Sequence, residues 1–356
     1  MSENTDTEQQ GRQGQARHKL AVLGGGSFGT AMTKVLAENG HTVHFWMRDA
    51  DQAREIRDTR CNSRYMPDVT ISGDVRPTND FAAAVSEADI VFVAIPSKAF
   101  RSVIQEHASA FGSDQIVVSL TKGIEQAGFK LMSEVLQEEL PRARIGVLSG
   151  PNLAGEIAAR ELTATVIAAK DPIVRQTVQE LLGCEYFRVY ANVDIYGVEL
   201  SGALKNIYAI VAGMASALNL GENARAMLIT RSLAEMSRFA VSMGANPMTF
   251  MGLAGVGDLV VTCTSPKSRN FRVGYAVGQG AKLDDAVAEL GQVAEGIYTL
   301  LLVKEKAESI GVYMPLVRGL YDILYGGASI KAVISGLMMA VQNSDVEFIL
   351  PRTLTN

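Results

Sequence analysis

The sequence predicts an α/β fold for the first half of the chain, a doubly wound and mostly parallel sheet, and an all-α fold for the second half. Three observations carry this. Residues 19–29, KLAVLGGGSFG, pass from an apolar run through a glycine cluster into a helical pattern. Short apolar runs then alternate with helix-prone stretches as far as Tyr190, as expected of strands buried on both faces and joined by crossover helices. From about Asn192 the alternation stops and helical periodicity takes over.

The elements follow in order. Leu20–Leu23 reads as the first strand and Thr30–Asn39 as an amphipathic helix. Between them stands Gly24-x-Gly26-x-x-Gly29. In a Rossmann-type dinucleotide site the first glycine makes the turn, the second lets backbone approach a pyrophosphate, and the third lets helix pack on strand. The helix N-terminus then offers N–H groups to the phosphates. Thr42–Trp46 is the second strand. At its end, where a carboxylate would bond the ribose of NAD, stands Arg48, a cation suited to a 2′-phosphate. Arg48 therefore favours NADP(H), with NAD(H) possible through the adjacent Asp49 if the strand ends one residue later.

Asp51–Arg60 is helix-prone, Arg64–Asp68 reads as a loop, and Phe81–Ser86 is a short helix. Asp89–Ile95 is a buried strand stopped by Pro96. Ser97 caps a helix running to about Phe111. Gln115–Leu120, Arg144–Ser149, Thr163–Ala169 and Tyr186–Tyr190 complete the strands, with helices at Leu131–Leu140 and Pro172–Gly183. In such sheets ligands bind at the carboxyl edge. Ser97, Lys122 and Asn152 all follow strand ends. Lys122 is either a surface lysine or a cation near a phosphate or carbonyl. Asn152 either stabilises the turn after Pro151 or contacts a ligand.

Composition narrows the function classes. A 356-residue chain with 47% hydrophobic and 20% charged residues accommodates two domains and a sizeable core. We divide it into a disordered polar tail (1–17), a dinucleotide-binding domain (18–191), a helical substrate domain (192–340) and a C-terminal tail (341–356). A net charge of −5 with no basic stripe argues against a nucleic-acid partner. No apolar run reaches the roughly 18 residues of a membrane span, which argues against stable membrane insertion. Cys61, Cys184 and Cys263 lie far apart, which favours a reducing, cytoplasmic setting. His18, His41, His44 and His107 show no metal-ligand spacing, so no metal site is expected.

Asp194–Leu220 reads as a long buried helix. At 100° per residue, Gly202, Lys205, Asn206, Ala209 and Gly213 share one face, and the small residues leave room for a ligand or another backbone. A lysine there needs a partner or a hydrated cleft. It is either a structural ion pair, with Glu199 or another carboxylate, or a group that protonates a substrate oxygen. Glu222–Met243 is a second helix. Asp258, after a glycine-rich turn, either caps the next segment or faces that lysine. Ser268-Arg269-Asn270 opens a further helix and forms a candidate phosphate site.

Seven segments, in this order, resemble the NAD(P)-dependent glycerol-3-phosphate dehydrogenase family in its bacterial form. They are Gly24–Ala31, Leu120–Gly123, Ser149–Pro151, Glu199–Asn206, Gly257–Leu259, Ser268–Asn270 and Val293–Gly296. The resemblance spans roughly residues 19–340. It implies interconversion of dihydroxyacetone phosphate and sn-glycerol 3-phosphate, a homodimer, and a supply of substrate to phospholipid synthesis. It makes Lys205 the proton donor and acceptor. It assigns Ser27, Phe28, Arg48, Lys122, Ala154, Arg269, Val293 and Glu295 to the cofactor, beside Gly24, Gly26 and Gly29. It assigns Lys122, Gly150, Asn152, Lys205, Asp258, Ser268, Arg269 and Asn270 to the substrate. Phe28 replaces the family's usual tryptophan, and Asn152 stands where bacterial members often carry serine or threonine. The alternatives are a lysine-dependent hydroxy-acid or ketopantoate-type dehydrogenase and a non-catalytic NADPH sensor.

Overall fold

A computed structural model describes residues 18–290 and 294–339 of the chain. The expected tails, 1–17 and 341–356, and Val293 lie outside these residues.

The chain opens with strand β1 (Lys19–Leu23), helix α1 (Ser27–Glu38), β2 (Thr42–Trp46) and α2 (Ala50–Thr59). A small hairpin of β3 (Cys61–Asn62) and β4 (Met66–Thr70) comes next, then β5 (Val75–Thr78), α3 (Phe81–Val85), β6 (Ile90–Val93) and α4 (Ser97–Glu106). Strand β7 (Ile116–Ser119) leads to a second hairpin, β8 (Ile124–Glu125) and β9 (Lys130–Leu131), and to α5 (Met132–Glu139). The sheet is completed by β10 (Arg144–Ser149), α6 (Ala154–Ala158), β11 (Thr163–Ala168), α7 (Pro172–Leu182) and β12 (Phe187–Asn192).

Eight of these strands form one sheet in the order β12-β11-β10-β7-β6-β1-β2-β5. Every neighbouring pair is parallel except β10 with β11. The topology is the Rossmann type expected. Both faces are covered, as the strand sequences require. Leu20 and Val22 pack with Met32, Val35 and Val178 on one side, and Ala21 and Leu23 with Phe100, Ile104 and Val135 on the other.

Local differences have physical causes. The Arg64–Asp68 segment is not wholly loop, because Met66–Thr70 pairs with Cys61–Asn62. Val75–Thr78 is a strand not assigned from sequence; its Pro77 cannot donate to a ladder, and β5 tolerates it at the sheet edge. Helix α4 ends at Glu106 rather than near Phe111, and a 3-10 turn follows at Ala108–Ala110.

The helical half begins with α8 (Ile195–Ala217) and α9 (Glu222–Ser242). A π-helical turn over Leu253–Gly257 runs into α10 (Asp258–Thr264). Then follow α11 (Arg269–Gly278), α12 (Leu283–Leu290), α13 (Glu295–Ser309), α14 (Pro315–Leu324) and α15 (Ile330–Met338). Asp194 starts α8 by accepting from the Gly197 N–H at 2.9 Å. Every residue from Gly197 to Ile210 is buried, so α8 is the axis on which the other helices pack. Among the described residues no helix is long and apolar enough to cross a membrane.

Candidate active site

The β1–α1 turn assigns its three glycines three separate tasks. Gly24 has φ +123°, and a Cβ there would lie 2.4 Å from the Ala94 carbonyl oxygen. A Cβ at Gly29 would lie 2.0 Å from the Gly24 carbonyl oxygen, so only glycine lets α1 start this close to β1. Nothing lies within 4 Å of a Cβ at Gly26, and no side chain caps the helix. An open approach to an uncapped helix N-terminus fits a pyrophosphate. The carboxamides of Gln52 and Asn62 hold the turn by donating to the Gly25 carbonyl oxygen at 2.7 and 2.9 Å. Neither was picked out from sequence.

The other cofactor candidates surround this turn. Ser27 begins α1, Phe28 packs half-buried on the core beside it, and Ala154 begins α6, which packs on α1. Strand β2 ends at Trp46, and Arg48 is exposed two residues later with no ion pair to a described residue. Asp49 instead caps α2, its Oδ1 accepting from the N–H groups of Asp51 and Gln52 at 2.9 and 3.3 Å. The carboxylate that would favour NAD is thus engaged by backbone, and the cation is left for a ligand.

At the carboxyl edge of the sheet, Lys122 follows β7 and meets Lys205 from the middle of α8. Lys205 Nζ donates to Asp258 Oδ1 and to Thr262 Oγ1, both at 2.6 Å. Lys122 Nζ donates to Asp258 Oδ2 at 2.5 Å and to the Gly150 carbonyl oxygen at 2.9 Å. The Asp258 side chain is 1% exposed. Two ammonium groups therefore flank one buried carboxylate, which leaves the cluster net positive. Burial pushes the Lys122 ammonium down to about 8; Asp258 opposes the shift and Lys205 adds to it. Burial likewise pushes the neighbouring Cys263 thiol up to about 12.

Helix periodicity placed Lys205 correctly, but its partner is Asp258, not Glu199. Six residues along a helix turn a side chain through about 240°, away from the lysine face. Glu199 instead holds the start of α5, accepting from the Ser133 N–H at 3.0 Å and its hydroxyl at 2.5 Å. Thr262 was missed, although its signal is present: it lies four residues beyond Asp258, on the same helix face. Of the small residues on α8, Gly213 admits another backbone and Gly202 admits a side chain from the sheet edge. A Cβ at Gly202 would lie 2.6 Å from Ser149 Oγ, and one at Gly213 would lie 2.0 Å from the Phe271 carbonyl oxygen of α11.

Close approach to α8 positions the start of α11. Ser268 caps it, accepting from the Phe271 N–H at 3.3 Å. Asn270 is buried, and its Oδ1 accepts from the Gly296 N–H at 3.0 Å. Arg269 is exposed at its rim and forms no ion pair with a described residue. Desolvation by the surrounding protein lowers its pKa, and the nearby Glu295 and Tyr65 oppose that shift. Glu295 opens α13 and reaches across to the sheet edge, accepting from the Ser97 hydroxyl at 2.8 Å. Asn152 donates from Nδ2 to Thr165 Oγ1 at 2.8 Å. Lys122, Gly150, Lys205 and Asp258 are thus joined by direct hydrogen bonds. Among the described residues no group of three or more His, Cys, Asp or Glu could hold a metal ion.

Residues 19–174 match the N-terminal, and residues 194–335 the C-terminal, family model of NAD-dependent glycerol-3-phosphate dehydrogenase. The chain belongs to this family. A glycerol-3-phosphate dehydrogenase [NAD(P)+] of Azotobacter vinelandii is 58% identical over 334 residues, covering 94% of this chain and 98% of the relative. One of Pseudomonas fluorescens is 59% identical, covering 93% and 96%. The crystal structure of the Coxiella burnetii glycerol-3-phosphate dehydrogenase superposes with a TM-score of 0.87 at 36% identity, over 91% of this chain and 99% of that one. A ketopantoate reductase from Ralstonia eutropha, at 16% identity and a TM-score of 0.58, shares the fold alone.

Proposed function

We propose that this glycerol-3-phosphate dehydrogenase family member reversibly reduces dihydroxyacetone phosphate to sn-glycerol 3-phosphate, using NADP(H) in preference to NAD(H). The product feeds glycerophospholipid synthesis. The observation that carries this is the buried Lys205–Asp258–Lys122 cluster at the carboxyl edge of the sheet, the edge on which the open, uncapped β1–α1 glycine turn also lies.

The α1 N-terminus, Gly24, Gly26 and Gly29 would hold the cofactor pyrophosphate, with Ser27, Phe28, Ala154 and Glu295 around the rest of the cofactor and Arg48 at its 2′-phosphate. When bound, the nicotinamide supplies the hydride to the carbonyl carbon and takes it back in reverse. Lys205 Nζ gives a proton to the carbonyl oxygen. Asp258 and Thr262 keep that ammonium in place, so its proton is aimed before the substrate arrives. Lys122 adds positive charge where the oxygen becomes an alkoxide. The substrate phosphate is held by Arg269 with Ser268 and Asn270. Because Asn270 Oδ1 is engaged by Gly296, its Nδ2 is the group left to donate to a phosphate oxygen.

We also propose a homodimer in the cytoplasm. Helix α15 supports the dimer: Ile330, Val333, Ile334 and Leu337 face the helical core only half-buried, and Met338 beside them is exposed. Three cysteines without disulfides support a reducing compartment. One assay tests the activity: oxidation of NADPH and NADH with dihydroxyacetone phosphate or its unphosphorylated analogue. Fast turnover of NADPH with the phosphorylated ketone alone is expected, and turnover of the unphosphorylated ketone at the same rate would overturn it. A monomer mass by light scattering would remove the dimer.

A further inference from the structure

Two buried polar atoms beside the cluster have no partner in the protein: Ser149 Oγ and Asn152 Oδ1. They flank Gly150, whose carbonyl oxygen receives Lys122. Buried polar atoms are nearly always hydrogen-bonded, so two orphans within four residues call for a ligand or another explanation.

Thr165, fully buried on β11, decides which atom of Asn152 is left over. Its hydroxyl lies 3.1 Å from the Ser149 carbonyl oxygen, an atom that can only accept. The single hydroxyl proton is therefore committed to Ser149. Asn152, 2.8 Å from the same Oγ1, must then present a donor to it. The carboxamide is locked with Nδ2 towards Thr165, and Oδ1 is left as an acceptor. Gly150 admits this geometry: with φ +153° and no side chain, it leaves room for Thr165, whose Oγ1 a Cβ would meet at 3.2 Å.

We propose that Thr165 is a positioning residue that sets Asn152 as a hydrogen-bond acceptor for the free hydroxyl of the substrate. The inference rests on the activity proposed above. Ionised dihydroxyacetone phosphate carries one donor, its hydroxymethyl O–H; its carbonyl and phosphate oxygens only accept. An acceptor fixed at Asn152 Oδ1 can be satisfied by that hydroxyl and by no other part of the substrate. A carboxamide turned the other way would present Nδ2 and lose this selection. The site thereby requires a hydroxyl next to the carbonyl, and a ketone phosphate with a methyl group in that place leaves Oδ1 unpaired.

The test compares kcat/KM for dihydroxyacetone phosphate and hydroxyacetone phosphate, which has the methyl group. Unsubstituted protein, Thr165→Ser and Thr165→Val are measured side by side with NADPH. The unsubstituted protein and T165S are expected to favour the hydroxylated substrate, and T165V to lose about tenfold or more of that preference. The loss should come from KM and kcat for dihydroxyacetone phosphate, with KM for NADPH unchanged. T165V that folds and keeps the full preference overturns the positioning role alone. If T165V does not fold, Asn152→Leu reads the same acceptor: loss of preference supports the proposal, and retained preference overturns it. No turnover of dihydroxyacetone phosphate by unsubstituted protein overturns this inference and the activity together.

Discussion

Lys205 and Lys122 are bound to opposite oxygens of one carboxylate, Asp258 Oδ1 at 2.6 Å and Oδ2 at 2.5 Å. They come from α8 and from the loop after β7, so the carboxylate joins the helical half of the chain to the carboxyl edge of the sheet. Removing it leaves two buried like charges facing one another. Asp258→Ala should lower stability by about 3–5 kcal/mol, as expected when one partner of a buried pair is lost. It should also cut turnover by about 100-fold or more through misplacement of Lys205. Denaturant unfolding alongside steady-state kinetics measures both. Unchanged turnover would show that Lys205 does not need this anchor.

Lys205→Ala should lower kcat by about two to four orders of magnitude, with NADPH binding nearly intact. Fluorescence titration of NADPH separates the two effects. Thr262→Val should cost much less, about tenfold in kcat, because Asp258 still holds the ammonium.

Lys122 sets a pH limit on substrate capture. Its ammonium is pushed down to about 8, chiefly by burial. The charge that attracts the anionic substrate is present below that pH and is lost as pH rises through it. KM for dihydroxyacetone phosphate should therefore climb above about pH 8. In Lys122→Arg, whose guanidinium stays protonated, this climb should vanish even if turnover falls. The same climb in both proteins would assign it to another group.

Arg48 should govern the choice of cofactor. Arg48→Ala should reduce kcat/KM for NADPH by about tenfold or more and leave NADH little changed, since only NADPH carries the 2′-phosphate. Equal losses with both cofactors would remove Arg48 from that role.

Glu235 should make stability fall with rising pH. It is buried on α9 and accepts from the N–H groups of Leu316 and Val317 at the start of α14, each at 2.9 Å. Burial pushes its carboxyl up to about 7, against those hydrogen bonds. A raised carboxyl pKa contributes stability that is complete below the unfolded value near 4.5 and lost as pH rises through about 7. The loss amounts to at most about 3 kcal/mol. Glu199, also pushed up to about 7 by burial, adds a fall of the same sign. Thermal unfolding midpoints from pH 4.5 to 8 should drop less steeply in Glu235→Gln than in the unsubstituted protein.

Much of the site is legible in the sequence because its signals are local. The glycine turn is read from six consecutive positions, and Gly24 and Gly29 stand where the backbone leaves no room for a side chain. The lysine face of α8 follows from helix geometry alone. Arg48 was found by counting from a strand end. The partners of these residues were less legible, because they are distant in sequence. Asp258 was read as either a cap or a partner for Lys205, and only the packing of α10 on α8 resolves the choice. The edge strand Val75–Thr78 was not assigned; its four residues include Pro77, which cannot donate to a ladder and is tolerated only because β5 lies at the sheet edge.

By itself the sequence determined the α/β and all-α halves, the dinucleotide turn, the lysine in the middle of a buried helix and the family. Each is written in short-range periodicity or in motifs a few residues long. Only the tertiary structure decided that Lys205 and Lys122 share Asp258, that Asp49 is engaged as a cap, and that Thr165 turns the Asn152 carboxamide. Those facts depend on which polar atoms come within about 3 Å of one another once distant segments pack. Burial then makes each pairing obligatory, because an unpaired charge or hydrogen-bonding group there is costly.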